Sequence, residues 1–203
     1  MKFLLTTLFL YLLFQTGYSQ EINGYFINIE GDTIPACIKV PKGLFGNIHE
    51  EHLFTKVKIT DSSGETQFKP GEIKSFSFTY KNKQYAFYSK PVRKYNFSWK
   101  ATKDTLFRFM TIFSKGEHAT GYSCYSVVPG DKTSSVHILY TLERRIDNAH
   151  LYLHNYGKLE EMRTALTDFY SHVPSVASAL SNKFIARRKV HTDIPAAIEA
   201  LNR

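Results

Sequence analysis

The chain has 203 residues, 43% of them hydrophobic and 22% charged, with a formal net charge of +8. That balance excludes a disordered chain and suits one ordinary folded body. Its 13 Tyr and 16 Phe favour strands.

In chain order, the first element is a targeting segment. Lys2 supplies a positive start, and Phe3 to Phe14 is almost wholly apolar. QTGYSQ then sets small Gly17 and Ser19 where a signal peptidase reads. Residues 1–19 are therefore expected to be a signal peptide cleaved after Ser19. The apolar run is shorter than the roughly 20 residues that span a bilayer. No Cys follows it for lipid attachment, and nothing later resembles a transmembrane helix. The expectation is an exported protein of the periplasm or the extracellular space, with outer-membrane association left open.

Residues 20–157 read as an antiparallel β domain. GYFINIEGDTIPACIKV predicts a hairpin, with Gly31-Asp32 as a two-residue type II′ loop and Ile34, Ala36, Ile38 and Val40 on one face. FTKVKIT places Val57 and Ile59 together. SFSFTY sets Phe76, Phe78 and Tyr80 opposite Ser75, Ser77 and Thr79, and KNK turns the chain into QYAFYSK. LFRFMTIF is apolar on both faces apart from Arg108 and Thr111, the pattern of a central strand. ATGYSCYSVV and VHILYTLE follow as two more strands. Export would permit a bridge between Cys37 and Cys124, closing a long loop worth about 4 kcal/mol. Strand alternation, however, points Cys37 away from the core.

The run NAHLYLHN carries two histidines four residues apart. In a helix, His150 and His154 would clasp one metal ion. In a strand they stand about 13 Å apart. Leu151 and Leu153 alternate with His150, Tyr152, His154 and Tyr156, a period of two, and Asn148, Asn155 and Gly157 are poor helix formers. The reading is a strand with no metal, its His/Tyr stripe being either a solvent face of aromatic cross-strand pairs, the preferred reading, or a partly exposed binding face.

From residue 158 to 203 the period lengthens. Leu159, Met162, Leu166 and Phe169 recur at helical spacing. So do Val173, Val176, Ala177 and Leu180, and then Ile194, Ala197, Ile198 and Leu201. About three short helices are expected, packed on the sheet. The fold class is α+β: an antiparallel sheet or small bent barrel with a helical tail.

Chemistry-bearing motifs are sparse. HEEH, His49 to His52, is one residue short of the zincin pattern and reads as surface charge. GYSCY is no nucleophile elbow, and no Gly-rich phosphate loop occurs. Glu160 and Glu161 are adjacent helix positions that do not face one another. Basic residues are scattered except for Arg187-Arg188-Lys189. Export argues against nucleic acid as the partner, leaving an envelope protein, a glycan or an anionic lipid surface. No cofactor is expected.

Gly24-Tyr25-Phe26, EGDTIPACI from Glu30 to Ile38, KPGEIKSF from Lys69 to Phe76, DFYSHVPSVASAL and TDIPAAIEALN together resemble a large group of uncharacterised exported proteins of Bacteroidetes. In that group a Gly-Tyr-Ile strand and a Gly-Asp-Thr-Ile hairpin precede a short helical tail. This chain departs from the pattern at Ala36, Glu72 and Val173. The resemblance implies an envelope location and a β-plus-helix build, and no activity.

The expected function is a non-catalytic binding module with an aromatic, basic β face, its candidate contacts being His150, Tyr152, His154, Tyr156, Arg187, Arg188 and Lys189. The alternative is an exported hydrolase using His150 and His154, or Cys124.

Overall fold

The computed structural model describes residues 18–43, 46–95, 101–129, 134–153 and 159–177. The chain divides into two compact units, Met1–Tyr85 and Ala86–Arg203. The division lies in a strand, away from the change of periodicity at residues 157 and 158.

In the first unit β1 (Tyr18–Ile27) pairs with β2 (Thr33–Lys42) along their whole length. The predicted two-residue loop is corrected to five residues, because Ile27 is paired with Thr33. The reason lies in Asn28, whose Oδ1 accepts the backbone N–H groups of Gly31 and Asp32, both at 2.8 Å. This side-chain turn adds to backbone hydrogen bonds from Gly31 N–H to the Asn28 carbonyl at 3.3 Å and from Asn28 N–H to the Asp32 carbonyl at 3.1 Å. A four-residue helical turn, α1 (Glu50–Leu53), leads into β3 (Val57–Asp61) and β4 (Gly64–Phe68).

β5 (Ser75–Tyr80) adds to the other side of β1. Ile22, Ile38 and Ile59 fall in register across β1, β2 and β3 and are all buried. Gly24 lies between Ile38 and Phe78, and a Cβ there would come within 2.2 Å of the Ser77 carbonyl oxygen. Glycine is what lets these strands close up. Lys81 and Asn82, both at positive φ, form the tight turn from β5 into β6 (Lys83–Tyr95). That geometry matches the right-handed strand twist.

The second unit holds most of β6 and then β7 (Ala101–Lys115), β8 (Ala119–Pro129), β9 (Ser134–Arg144) and β10 (His150–Tyr152). α2 (Leu159–Phe169) follows. β7 behaves as the central strand its sequence predicts, since neighbouring Phe109 and Met110 are both fully buried. α2 lays Met162, Leu166 and Phe169 against Ala119, Tyr140, Leu142 and Leu153. Each of its larger side chains contributes about 1.5–3 kcal/mol by leaving water. Arg144 fastens the helix end by donating to the Phe169 carbonyl at 2.7 Å. Residues 174–177 make one further helical turn; the rest of the expected tail lies outside the described residues.

The hydrogen-bonded order is β10-β9-β8-β7-β6-β5-β1-β2-β3-β4. The antiparallel sheet is confirmed and the barrel alternative is corrected. The terminal strands, β10 and β4, pair with β9 and β3 and not with each other, so the sheet stays open.

Candidate functional site

The predicted stripe at His150 begins as a strand, as its alternation required. His150 is paired with Glu143 and Tyr152 with Thr141, so all four share one face of the second unit's sheet. The register continues that face through Tyr122 and Cys124 on β8 and through Tyr88 and Lys90 on β6. It is the side away from α2.

This face is curled inward. Lys90 on β6 forms an ion pair with Glu143 on β9. Three strand spacings would separate them by roughly 14 Å in a flat sheet. Lys90 also lies over the Tyr122 ring, 4.7 Å from its centroid, and Arg93 reaches the Tyr152 ring at 5.5 Å. The bend shields the ion pair, whose side chains are only 18% and 17% exposed.

Electrostatics follow from that enclosure. Burial and the neighbouring Glu143 carboxylate push the Tyr122 phenol far above its ordinary range. Burial raises the Cys124 thiol to about 12, and the Arg108 charge only weakly opposes it. That thiol is protonated at neutral pH and is a poor nucleophile there. Burial lowers the His150 pKa, Glu143 counteracts, and Lys90 adds to the lowering. His150 Nε2 and Thr141 Oγ1 are buried without hydrogen-bond partners. The face is thus a bent lattice of rings around one neutralised ion pair.

The other site residues read from sequence fare as follows. His154, Tyr156, Arg187, Arg188 and Lys189 lie outside the described residues. Cys37 and Cys124, the residues of the possible bridge, are both free cysteines in this structure. Cys37 sits opposite Asn23 and hydrogen-bonds its side-chain oxygen at 3.3 Å, while Cys124 is buried in the bent sheet.

A second aromatic and basic arrangement, in the first unit, was not singled out in the sequence. Tyr80 ends β5 and Lys83 begins β6, so the tight turn sets them side by side. Two residues on, Tyr85 stacks on the buried Phe78 at 5.1 Å, which fixes its ring. Lys42 lies 4.0 Å and Lys81 5.4 Å from the Tyr80 centroid, and Lys83 lies 4.4 Å from that of Tyr85. Tyr80 donates its hydroxyl to the Gly46 carbonyl at 3.0 Å. Tyr80, Lys81, Lys83 and Tyr85, with Gly46, Asn47 and Ile48, line an open groove of about 320 Å³.

A hydrogen bond from Lys42, backed by the Lys42 and Lys81 charges, draws the Tyr80 phenol below its ordinary value. The local field is therefore positive. One carboxylate, Glu50, approaches Lys83 at 3.6 Å. The signal was the spacing Tyr80-Lys81-Asn82-Lys83-Gln84-Tyr85, aromatic and basic residues alternating about a turn.

Family models, curated proteins and solved structures yield no match to this chain.

Proposed function

We propose that this chain is an exported cell-envelope protein with a non-catalytic binding role, taking an acidic glycan in the groove between Tyr80 and Tyr85. The observation that carries the reading is the set of lysines held over half-buried tyrosine rings there. Sugar rings stack on aromatic faces while their acidic groups seek ammonium groups, and a concave wall with few oriented polar groups is the usual form of such a site. The signal-like residues 1–19, and the likeness to exported Bacteroidetes proteins, support the envelope location.

The test is titration of the mature chain with an acidic heparin oligosaccharide and with a neutral oligosaccharide of equal length. Selective, salt-sensitive binding is expected, falling at least tenfold in a Lys81→Gln, Lys83→Gln double variant. Tighter binding to anionic vesicles would replace the glycan by a lipid headgroup. No binding to either at low salt would end the proposal.

A further inference from the structure

His49, Glu51 and His52 each offer one ligand atom, and these atoms all lie within 4.8 Å of one another. A point between three such atoms is no more than about 2.8 Å from each. Small side-chain rotations bring that to the 2.0–2.2 Å of zinc–nitrogen and zinc–oxygen bonds. The sequence pattern concealed this set, because HEEH lacks the four-residue spacing of helical histidine pairs. The chain solves the spacing differently. His49 is the residue before α1, with non-helical backbone angles, and Glu51 and His52 lie in the turn itself. A single turn thereby gathers three ligands.

Two features orient the set beforehand. The His49 backbone N–H donates to the Pro41 carbonyl at 3.0 Å, which ties the turn to β2. Its ring rests edge-on against Gly43, where a Cβ would stand 2.7 Å from Nε2, so a side chain at residue 43 would displace it. The other ring nitrogen, Nδ1, faces Glu51 Oε1 at 2.7 Å. Burial acts to raise the Glu51 carboxyl. Its backbone and His49 hydrogen bonds and the two imidazoles outweigh that, and the net pKa is lowered.

We infer that His49 Nδ1, Glu51 and His52 form a surface site for a zinc-class divalent cation, with solvent completing the coordination. Two imidazoles and one carboxylate suit zinc, copper or nickel better than calcium or magnesium, which prefer oxygen ligands. His52 also lines a second open groove of about 350 Å³ with Lys39, Lys56 and Lys58. Those ammonium groups oppose a cation, so micromolar affinity is expected rather than the tight binding of an enclosed structural site. They also put anion-attracting charge beside the ion. This site is independent of the Tyr80 groove and stands whether or not that groove binds glycan.

The experiment is calorimetric titration of the whole mature chain with zinc chloride, paired with the visible spectrum of the cobalt(II) form. One equivalent of zinc is expected, with cobalt giving the intense bands of four-coordination by nitrogen and oxygen. His52→Ala and Glu51→Gln, both at exposed positions, should each weaken zinc at least tenfold while leaving the urea midpoint unchanged. Acidification should release the metal, because imidazole must be unprotonated to bind. Because His118 and His172 lie close together, their rings 6.2 Å apart, a His172→Ala variant is the control and should bind as the parent does. Zinc binding that survives His52→Ala and Glu51→Gln would overturn the site. So would binding lost in His172→Ala, or none below millimolar zinc.

Discussion

In the groove beside α1, Lys42 and Lys81 lie over Tyr80 and Lys83 lies over Tyr85. On the bent face of the second unit, Lys90 lies over Tyr122. The local motif is the same and its surroundings are opposite. Lys90 is mostly buried and neutralised by Glu143, so its charge is spent inside the fold. Lys81 and Lys83 stand exposed at the groove, and among the described residues one carboxylate, Glu50, approaches them, at 3.6 Å from Lys83. The difference teaches that a cation over an aromatic ring is not in itself a binding site. What separates structural from recognitional use is whether a counter-charge already completes it.

The largest expected effects test the frameworks on which the two regions rest. Gly24→Ala should cost about 3 kcal/mol or more, because its methyl group meets backbone at 2.2 Å. Urea unfolding measures it. Glycan affinity should then fall only as far as the folded fraction falls. Glu143→Ala leaves Lys90 enclosed without its partner and should cost about 2–4 kcal/mol. Lys90→Ala should cost a similar amount, and the double variant less than the sum. Additive losses would show that the pair is not coupled, and would erase the contrast with the groove. Lys81→Gln should shift stability by no more than about 0.5 kcal/mol while weakening ligand binding.

A smaller effect concerns acid. The folded His150 pKa lies below the unfolded one, so the unfolded chain binds the proton more readily. The stability from the neutral imidazole is fully present above the unfolded value, about 6.5. It is lost as pH falls through the folded pKa. His150→Gln should therefore flatten the decline in urea midpoint below about pH 6.5. An unchanged slope would mean that the imidazole is not enclosed. The smallest effect is a matter of rate: a thiol reagent should modify Cys37 in the native protein and reach Cys124 only on unfolding, since burial holds the latter near 12.

Much of the fold was legible because strands write their burial into alternate residues. Ile38 with Val40, Val57 with Ile59, and the doubly apolar β7 all lie as their periodicity requires. The extended form of residues 150–152 was legible for the same reason. The Asn28 turn was not, because the Asn28 side chain accepts from the Gly31 and Asp32 N–H groups, a contact that the backbone loop rule does not consider. The bend that joins Lys90 to Glu143 was hidden too. Those residues are 53 positions apart, and alternation fixes a side chain's face but not the curvature of the sheet. The His49 cluster escaped because its ligands straddle the start of a helix, where neither the helical nor the strand period applies.

An open sheet must end somewhere, and a bare edge invites a neighbouring molecule to add a strand of its own. Here the terminal strands have five and three residues, too few to template a long ladder. On β4, Glu65 holds Lys39 and Lys58, both at 3.0 Å, and an incoming chain would have to strip water from that charged trio. Short terminal strands, one of them ionic, are features that oppose edge-to-edge addition in an aromatic-rich chain.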